Sequence, residues 1–259
     1  MTIAATQIDL RDVLAIWRRN VLVHLRVWKL NLVAPIIEPV ISVLGFGLGI
    51  GALVAGRVSG ISYLSFVGAG LLSITVLMRA MFEMTYASYF KMVYQATYDA
   101  ILATPVDAES LALGEILWAL THGLFDTIII MMVLVAFGAA TSGWAVLAPL
   151  PLMIGATFMA GLSLGITAHV RDIDAFNLVM ALFFSTMYVS GAFFPIDVLP
   201  IWLRIPARIL PLTEAIELTR AFLTGRFRLF HVYAAIYLLI SALLACEWAM
   251  RSLRRRMVA

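Results

Sequence analysis

Residues 111–137 read LALGEILWALTHGLFDTIIIMMVLVAF, and this stretch decides the fold class. It is nearly all apolar and is longer than the ~20 residues that an α-helix needs to cross the hydrocarbon of a bilayer. Five other segments have the same character, and alternating ten-residue strands are absent, so helices are the only plausible spanning elements. The six predicted spans cover approximately residues 31–55, 62–86, 111–137, 146–168, 175–194 and 230–250.

The composition of the whole chain agrees with a membrane location. Of its 259 residues, 63% are hydrophobic and 13% are charged, whereas soluble domains are about 45–50% apolar and about 25% charged. A globular protein of this size could not cover so much apolar surface with polar groups, so lipid must cover it. We therefore predict an all-α membrane protein that forms one transmembrane domain over residues 1–259.

The first predicted element, residues 9–29, precedes the first span and is amphipathic. Apolar residues that include Leu10, Trp17 and Leu25 recur at helical steps, and basic residues that include Arg18 and Arg26 lie between them. This pattern favours a helix lying in the membrane interface. The alternative is a soluble helix packed on a partner.

Two further segments are predicted to lie between spans without crossing the membrane. Residues 91–105 contain polar and aromatic side chains and are predicted to form a short amphipathic helix that ends at Pro105. Such a helix is a compact element on which a partner protein could dock. Residues 195–228 carry four prolines yet remain apolar, so their pieces are too short to span and are predicted to be re-entrant. Within them, residues 213–224 have a helical pattern that stops at Gly225.

The distribution of Lys and Arg orients the spans. With the N-terminus inside, eleven of these residues fall in cytoplasmic stretches and six in outer ones, and Arg79 lies within span 2. The positive-inside rule therefore predicts that both termini are cytoplasmic. In span 1, Gly45, Gly47, Gly49 and Gly51 contain small-xxx-small pairs that permit close helix approach.

The charges within the spans are the candidate functional residues. Arg79 and Glu83 lie four residues apart on span 2 and are predicted to pair; with Tyr86 they are candidates for a substrate pathway, or else they form a structural ion pair. His122 and Asp126 share a face of span 3, where a polar pair facing the bundle is favoured over a metal site. Tyr86 and Tyr89 either stack on sugar rings or form an interfacial aromatic belt.

No nucleotide-binding or catalytic motif is present. Residues 51–58 lack the Gly-Lys-Ser/Thr ending of a phosphate-binding loop, no His, Cys, Asp and Glu residues show metal-ligand spacing, and the basic residues form no nucleic-acid stripe. We therefore predict that the chain is not an enzyme, binds no cofactor or metal, and has no nucleic-acid partner.

Several short pieces of sequence resemble those of one family, ABC-2 type permeases, in their order and spacing. They are IWRRN (16–20), GRV (56–58), FE (82–83), YDAILATPV (98–106), LGE (113–115), LWA (117–119), SGAFFP (190–195), RILPL (208–212) and LRRR (253–256). The resemblance covers nearly the whole chain. It is moderately specific for a branch that exports lipo-oligosaccharides.

The resemblance implies the membrane half of an ATP-driven exporter in the bacterial inner membrane. Residues 91–105 would be a coupling helix that docks into a separate ATPase subunit, and ATP and Mg would be bound by that partner. The coupling residues would be Tyr94, Gln95, Tyr98, Asp99, Thr104 and Pro105. Two permeases and two ATPases would form the assembly, with the permease homodimer enclosing the path of an amphipathic glycolipid by alternating access.

Three alternatives remain open at the level of the sequence. Sister permeases export drugs or polysaccharides with the same spans. An ion-coupled carrier would use Arg79 and Glu83 and would need no ATPase. A membrane enzyme is disfavoured by the lack of clustered His, Asp or Ser residues at one membrane depth, whereas a scaffold would tolerate substitution of Arg79 without a transport defect.

Overall fold

The structure is a computed structural model that describes residues 8–31, 33–54 and 56–258. Within these residues the chain is helical and forms no β-strand, so the predicted all-α class is confirmed. Five helices are long and apolar enough to cross a membrane. They are α2 (Val33–Leu53, crossing segment Ile36–Leu53), α3 (Tyr63–Tyr94), α5 (Ala108–Ala136), α6 (Pro149–Thr167, extended by the turn Gly143–Leu147) and α10 (Leu229–Val258).

The remaining helices are shorter or lie at the start of the chain. They are α1 (Leu10–Asn31), α4 (Thr97–Leu102), α7 (Phe176–Val189), α8 (Ile201–Ile209) and α9 (Pro211–Thr224). Gly225 follows α9 in the left-handed conformation, with φ of +71°. The helix and the glycine stop predicted in residues 213–224 are therefore confirmed. The location of α8 and α9 in the membrane stays a prediction.

The fifth predicted span is shorter than its sequence indicated. A full span over residues 175–194 was expected, but α7 has 14 residues, which correspond to about 21 Å, or about 27 Å with the 3₁₀ turn Ile173–Ala175 that precedes it, against a hydrocarbon core of about 30 Å. The helix ends because the chain turns at Ser190 and Gly191, and Gly191 has φ of +80°. Residues 190–194 are apolar but belong to this turn.

Helix α3 lies at the centre of the bundle and packs against α5, α6 and α9, while α10 lies along α6. Close contact between α6 and α10 depends on glycine. A Cβ atom at Gly161 would lie 2.7 Å from the backbone carbon of Ala245, and one at Gly165 would lie 2.2 Å from the Trp248 ring. In span 1, by contrast, a Cβ at Gly47 would meet Leu64, but one at Gly45 or Gly49 would meet no atom of the described chain within 4 Å.

Helix α1 (Leu10–Asn31) has bounds close to the predicted residues 9–29, and it packs along α5. Ile16 lies against Gly114, and the Trp17 Nε1–H donates to Thr121 Oγ1 at 2.9 Å. The opposite face exposes apolar side chains that include Leu10 and Leu14. Placement in the membrane interface stays a prediction. Side chains 27–35 and 39, which include Trp28, Lys29 and the two prolines of span 1, lie outside the part that the structure describes.

The helical bundle has two ends, one proximal and one distal. The proximal end carries Tyr98 and Arg254, whose guanidinium lies 3.0 Å from Glu109 Oε1. The distal end carries Gly191 and Gly225.

Candidate functional site: a polar ladder and a short proximal helix

A set of charged and polar side chains joins α3 to α5 inside the bundle. We call this set the polar ladder. Its members are Arg79, Glu83 and Lys91 on α3, and Glu115, Trp118, His122 and Asp126 on α5. The two helices are antiparallel, so residue numbers rise along one side of the ladder as they fall along the other.

Three rungs connect the helices. Arg79 Nε lies 2.7 Å from Asp126 Oδ2, and Lys91 Nζ lies 2.6 Å from Glu115 Oε2. Between them, Glu83 Oε1 accepts a hydrogen bond from Trp118 Nε1–H at 2.8 Å.

Two longer contacts complete the middle of the ladder. Glu83 Oε2 lies 3.7 Å from His122 Nδ1, and Lys91 Nζ lies 3.6 Å from Glu83 Oε1. The ring of His24, on α1, is centred 4.7 Å from that of His122. Helix α1 therefore covers the ladder from the side.

The predicted pairing of Arg79 with Glu83 is wrong. Each of these side chains reaches across to α5 instead, because the antiparallel partner helix presents an Asp and a Trp–His pair at matching heights. The expectation that His122 and Asp126 form a polar pair facing the bundle holds, since both are buried. Their partners are the two charges of span 2 rather than each other.

The ladder is not fully satisfied. Glu115 Oε1, Asp126 Oδ1 and His122 Nδ1 are buried without a hydrogen-bond partner in the described chain. Its two cations, Arg79 and Lys91, also face three carboxyl groups. Buried polar atoms without partners are costly, and a rearrangement that gives these atoms partners would therefore recover free energy.

An aromatic stripe runs along the outer face of the same helix. It consists of Phe82, Tyr86, Phe90 and Tyr94, at steps of four residues. The Phe82 and Tyr86 rings are 5.8 Å apart, and the Phe90 and Tyr94 rings are 4.9 Å apart. Segments Glu83–Ala87 and Phe90–Tyr94 are π-helical, and the wider π turns keep four-residue steps on one face. π-helical turns are rare in proteins overall, but where they occur they are often part of a functional site.

Tyr89 does not belong to an exposed belt. Its side chain is buried, and its hydroxyl donates to the Arg171 carbonyl at 2.9 Å. Tyr86, on the stripe, and Arg79, two helical turns before it, are both half-buried. Of the three pathway candidates, Arg79 and Tyr86 therefore reach a surface of this chain, while Glu83 points mainly into the ladder.

The predicted coupling helix is shorter than residues 91–105. Residues 90–94 continue α3, Ala96 interrupts the helix with φ of +48°, and α4 then spans Thr97–Leu102. Thr104 Oγ1 donates to the Ile101 carbonyl at 2.6 Å, which closes the turn before Pro105.

The six candidate coupling residues divide into one anchor and one exposed group. Tyr98 is fully buried, so it anchors α4 to the bundle and does not present its ring to a partner. The others are exposed, and we call them the coupling surface: Tyr94, Gln95, Asp99, Thr104 and Pro105.

Sequence reasoning missed Lys91, Glu115 and Trp118 as members of the ladder. A signal was available, because Glu115, Trp118, His122 and Asp126 follow one another at steps of three, four and four residues. That spacing places polar side chains in one stripe of an otherwise apolar helix. It could have indicated a polar seam against another span.

Comparison with known proteins gives a consistent result. The model of the family described as ABC-2 type transporter matches residues 11–224. Nodulation protein J of Rhizobium leguminosarum bv. trifolii is 36% identical over 215 residues, which cover 82% of this chain and 81% of that protein. Nodulation protein J of Sinorhizobium fredii is 34% identical over 220 residues, with the same coverage. The inner membrane transport permease YadH of Escherichia coli is 26% identical over 189 residues, 72% of each chain.

Proposed function

This chain belongs to the ABC-2 type transporter family, and we propose that it is the permease subunit of an ATP-driven exporter. It is a multi-pass membrane protein whose family implies an ATP-binding partner. The observation that carries the proposal is the coupling surface, a small exposed group presented by a rigidly anchored short helix. A connection between two spans needs neither a buried tyrosine anchor nor a separate helix.

The proposed assembly contains two copies of this chain and two ATPase subunits. ATP and Mg would be bound by the ATPase subunits. Both termini and the proximal end would face the cytoplasm of a bacterium, and the distal end would face outward, as the distribution of Lys and Arg favours. The whole chain, residues 1–259, would act as one transmembrane domain.

The mechanism that we propose begins at the coupling surface. ATP closes the ATPase dimer, and the movement reaches α4, which Gln95 and Ala96 join to the end of α3. Because α3 carries one side of the polar ladder, its displacement against α5 would exchange ladder partners. The driving force must come from different ATP affinities of the two states. The unpartnered atoms of the ladder support a second arrangement, since they leave the observed one incompletely satisfied.

The proposed substrate is amphipathic, with a sugar-bearing head and a lipid tail, as in a lipo-oligosaccharide. Aromatic rings stack on the apolar faces of sugars, and the aromatic stripe offers such rings beside Arg79. The names of the similar nodulation proteins favour this branch of the family for the chain. A drug or a polysaccharide is the alternative substrate.

Docking of the partner tests the proposal. The chain is co-expressed with candidate ABC ATPase subunits from the same genome, and residues 99–104 are replaced by a Gly/Ser linker that keeps Tyr98. We expect the replacement to abolish co-purification of the ATPase. The control is Glu247→Ala with Arg251→Ala, which removes an exposed ion pair of α10 and is expected to leave co-purification unchanged. Retention of the ATPase by the linker variant would contradict the proposal.

The substrate is tested separately, in vesicles that hold both subunits. Phe82→Ala and Phe90→Ala remove two exposed rings of the aromatic stripe that do not belong to the coupling surface. We expect them to slow export of a lipo-oligosaccharide while ATPase binding is unchanged. If a lipophilic drug without a sugar head is exported equally well and the variants do not slow it, the drug alternative is favoured.

A further inference from the structure

A cavity of about 280 Å³ lies at the distal end, away from the polar ladder and the aromatic stripe. Side chains of α9, the start of α10, the turn before α3 and the segment after Gly191 line it. Small-molecule sites usually enclose about 300–1,000 Å³. The cavity is therefore large enough for the headgroup of a ligand whose remainder lies outside it.

The charged side chains of the cavity are unevenly matched. They are Arg208, Arg220, Arg226 and Arg228, with Asp197, Glu214 and Glu217. Arg208 pairs with Asp197 at 2.9 Å, and Arg220 pairs with Glu217 at 2.5 Å. Once these two pairs are set aside, two guanidinium groups remain against one carboxyl group.

The buried arginine forms a fixed wall of the cavity. Arg220 also donates to the Gly191 carbonyl at 2.9 Å, and its guanidinium carbon lies 3.7 Å from the centre of the Phe66 ring. These contacts occupy its Nη1 and Nη2 atoms, while Nε is buried without a hydrogen-bond partner in the described chain. Arg226 is held at the rim, where it donates to the Gly60 carbonyl at 3.0 Å, but it has no carboxylate partner among the described residues.

Two side chains of the cavity are left without partners in the described chain. Within the described residues, the side chain of Arg228 makes no hydrogen bond or ion pair, and its backbone N–H donates to His231 Nδ1. The side chain of Glu214 makes none either, and its Oε2 atom is buried. Glu214 is only 5% exposed. A buried polar group that lines a cavity without a protein partner is suited to bind a ligand.

Burial makes Glu214 a hydrogen-bond donor near neutral pH. Desolvation raises the pKa of this carboxyl from 4.5 to about 7, the negative charge of Glu217 adds to the rise, and Arg208 opposes it. The other charged or titratable groups around the cavity are Asp197, Arg220, Arg226, Arg228 and His231. With Glu214 protonated, the unpaired charges of the cavity are both positive.

We propose that this cavity binds the anionic headgroup, a phosphate or a carboxylate, of an amphipathic molecule. Arg228 and Arg226 supply the positive charge, and the carboxyl group of Glu214 donates a hydrogen bond to the anion. The molecule that carries this anionic headgroup is either a membrane lipid or the exported substrate. The second possibility rests on the proposed function, whereas binding of the anion does not.

The test uses the purified full chain in detergent, without an ATPase, and titration calorimetry. The probe is short-chain phosphatidylglycerol, whose phosphodiester keeps one negative charge over the pH range used. Phosphatidylcholine of the same chain length and a neutral alkyl glucoside are the comparisons. We expect phosphatidylglycerol to bind more tightly than either, and its affinity to fall as the pH rises through the pKa of Glu214.

Matched variants separate the cavity from general charge effects. Loss of one charge-assisted hydrogen bond in Arg228→Gln should weaken binding about tenfold or more, while Arg228→Lys should retain most of it. Glu214→Gln should keep binding but lose the dependence on pH. Arg251→Gln, which removes a positive charge from the exposed proximal part of α10, should leave the affinity unchanged.

The outcomes distinguish this inference from the proposed function. Equal binding of phosphatidylglycerol and the neutral glucoside, or unchanged affinity in Arg228→Gln, would overturn the anion site even if ATP-driven export is observed. Binding that depends on Arg228 supports the site even if export fails. Vesicles that contain the ATPase then identify the molecule that carries the headgroup: ATP-driven movement of the bound anionic amphiphile assigns it as substrate, and its retention assigns it as a bound lipid.

Discussion

Arg79 on α3 lies with its Nε atom 2.7 Å from Oδ2 of Asp126 on α5. The two side chains differ in environment, since that of Arg79 is 31% exposed and that of Asp126 is fully buried. A pair of this kind costs free energy to desolvate and is strongly destabilising to break, because one charge is then left alone. Because only Asp126 is fully buried, loss of Arg79 and loss of Asp126 should differ in their effect on stability.

Removing Arg79 should destabilise the protein more than removing Asp126. Arg79→Met leaves a buried carboxylate unpaired, and we expect a loss of about 3–5 kcal/mol in the free energy of unfolding. Asp126→Asn leaves a partly exposed guanidinium, and we expect a loss of about 1.5–3 kcal/mol. The measurement is denaturant unfolding in mild detergent. Recovery of most of the stability in the double variant Arg79→Met, Asp126→Leu would confirm the pairing, and equal losses in the two single variants would contradict it.

The position of Tyr98 separates anchoring from docking. Tyr98→Phe keeps the buried ring and should preserve both stability and co-purification of an ATPase. Tyr98→Ala leaves a cavity beneath α4 and should cost about 3–5 kcal/mol, as large-to-small aromatic substitutions do. Loss of co-purification in Tyr98→Phe, with unchanged thermal stability, would show that the hydroxyl contacts the partner directly and that the assignment as an anchor is wrong.

Glycine at position 161 should be required for the contact between α6 and α10. A Cβ atom there would lie 2.7 Å from the backbone of Ala245, so Gly161→Ala should destabilise by about 1–3 kcal/mol despite the better helix propensity of alanine. Gly45→Ala is the matched control, because a Cβ there would meet no described atom within 4 Å. It should be neutral or stabilising by up to about 1 kcal/mol. Thermal unfolding of both variants checks this.

Glu214 should make stability depend on pH in a defined window. Its pKa is raised from 4.5 to about 7 in the folded protein, so the folded state holds more protons than the unfolded state between these values. Stability should therefore fall as the pH rises from about 4.5 to about 7, by about 3 kcal/mol in total. Glu214→Gln should remove this fall and should exceed the wild type in stability above pH 7. A slope of the opposite sign would contradict the burial of the charge.

The sequence was sufficient for elements that depend on local properties. Apolar length identified the long helices, and the helical pattern before Gly225 identified α9, because hydrophobic periodicity and a left-handed glycine act within one segment. The end of α7 was missed because residues 190–194 are as apolar as a span. Only the conformation at Gly191 shows that they form a turn.

The site was harder to predict because its contacts join different helices. A spacing of four residues between Arg79 and Glu83 is compatible with an ion pair within one helix. It is equally compatible with both side chains contacting a neighbouring antiparallel helix. The choice depends on what the neighbouring helix presents at each height. The burial of Tyr98 likewise depends on how α4 packs on the bundle, which its amphipathic pattern does not specify.

The central claim is that this chain transports only when an ATPase drives it. The most direct measurement is export of a labelled amphipathic glycan from vesicles that contain the chain with or without its ATPase, in the presence of ATP or of an imposed proton or sodium gradient. We expect movement only with both the ATPase and ATP, and none with the linker variant of residues 99–104. Movement driven by a gradient in vesicles that lack the ATPase, and abolished by Glu83→Gln, would contradict it.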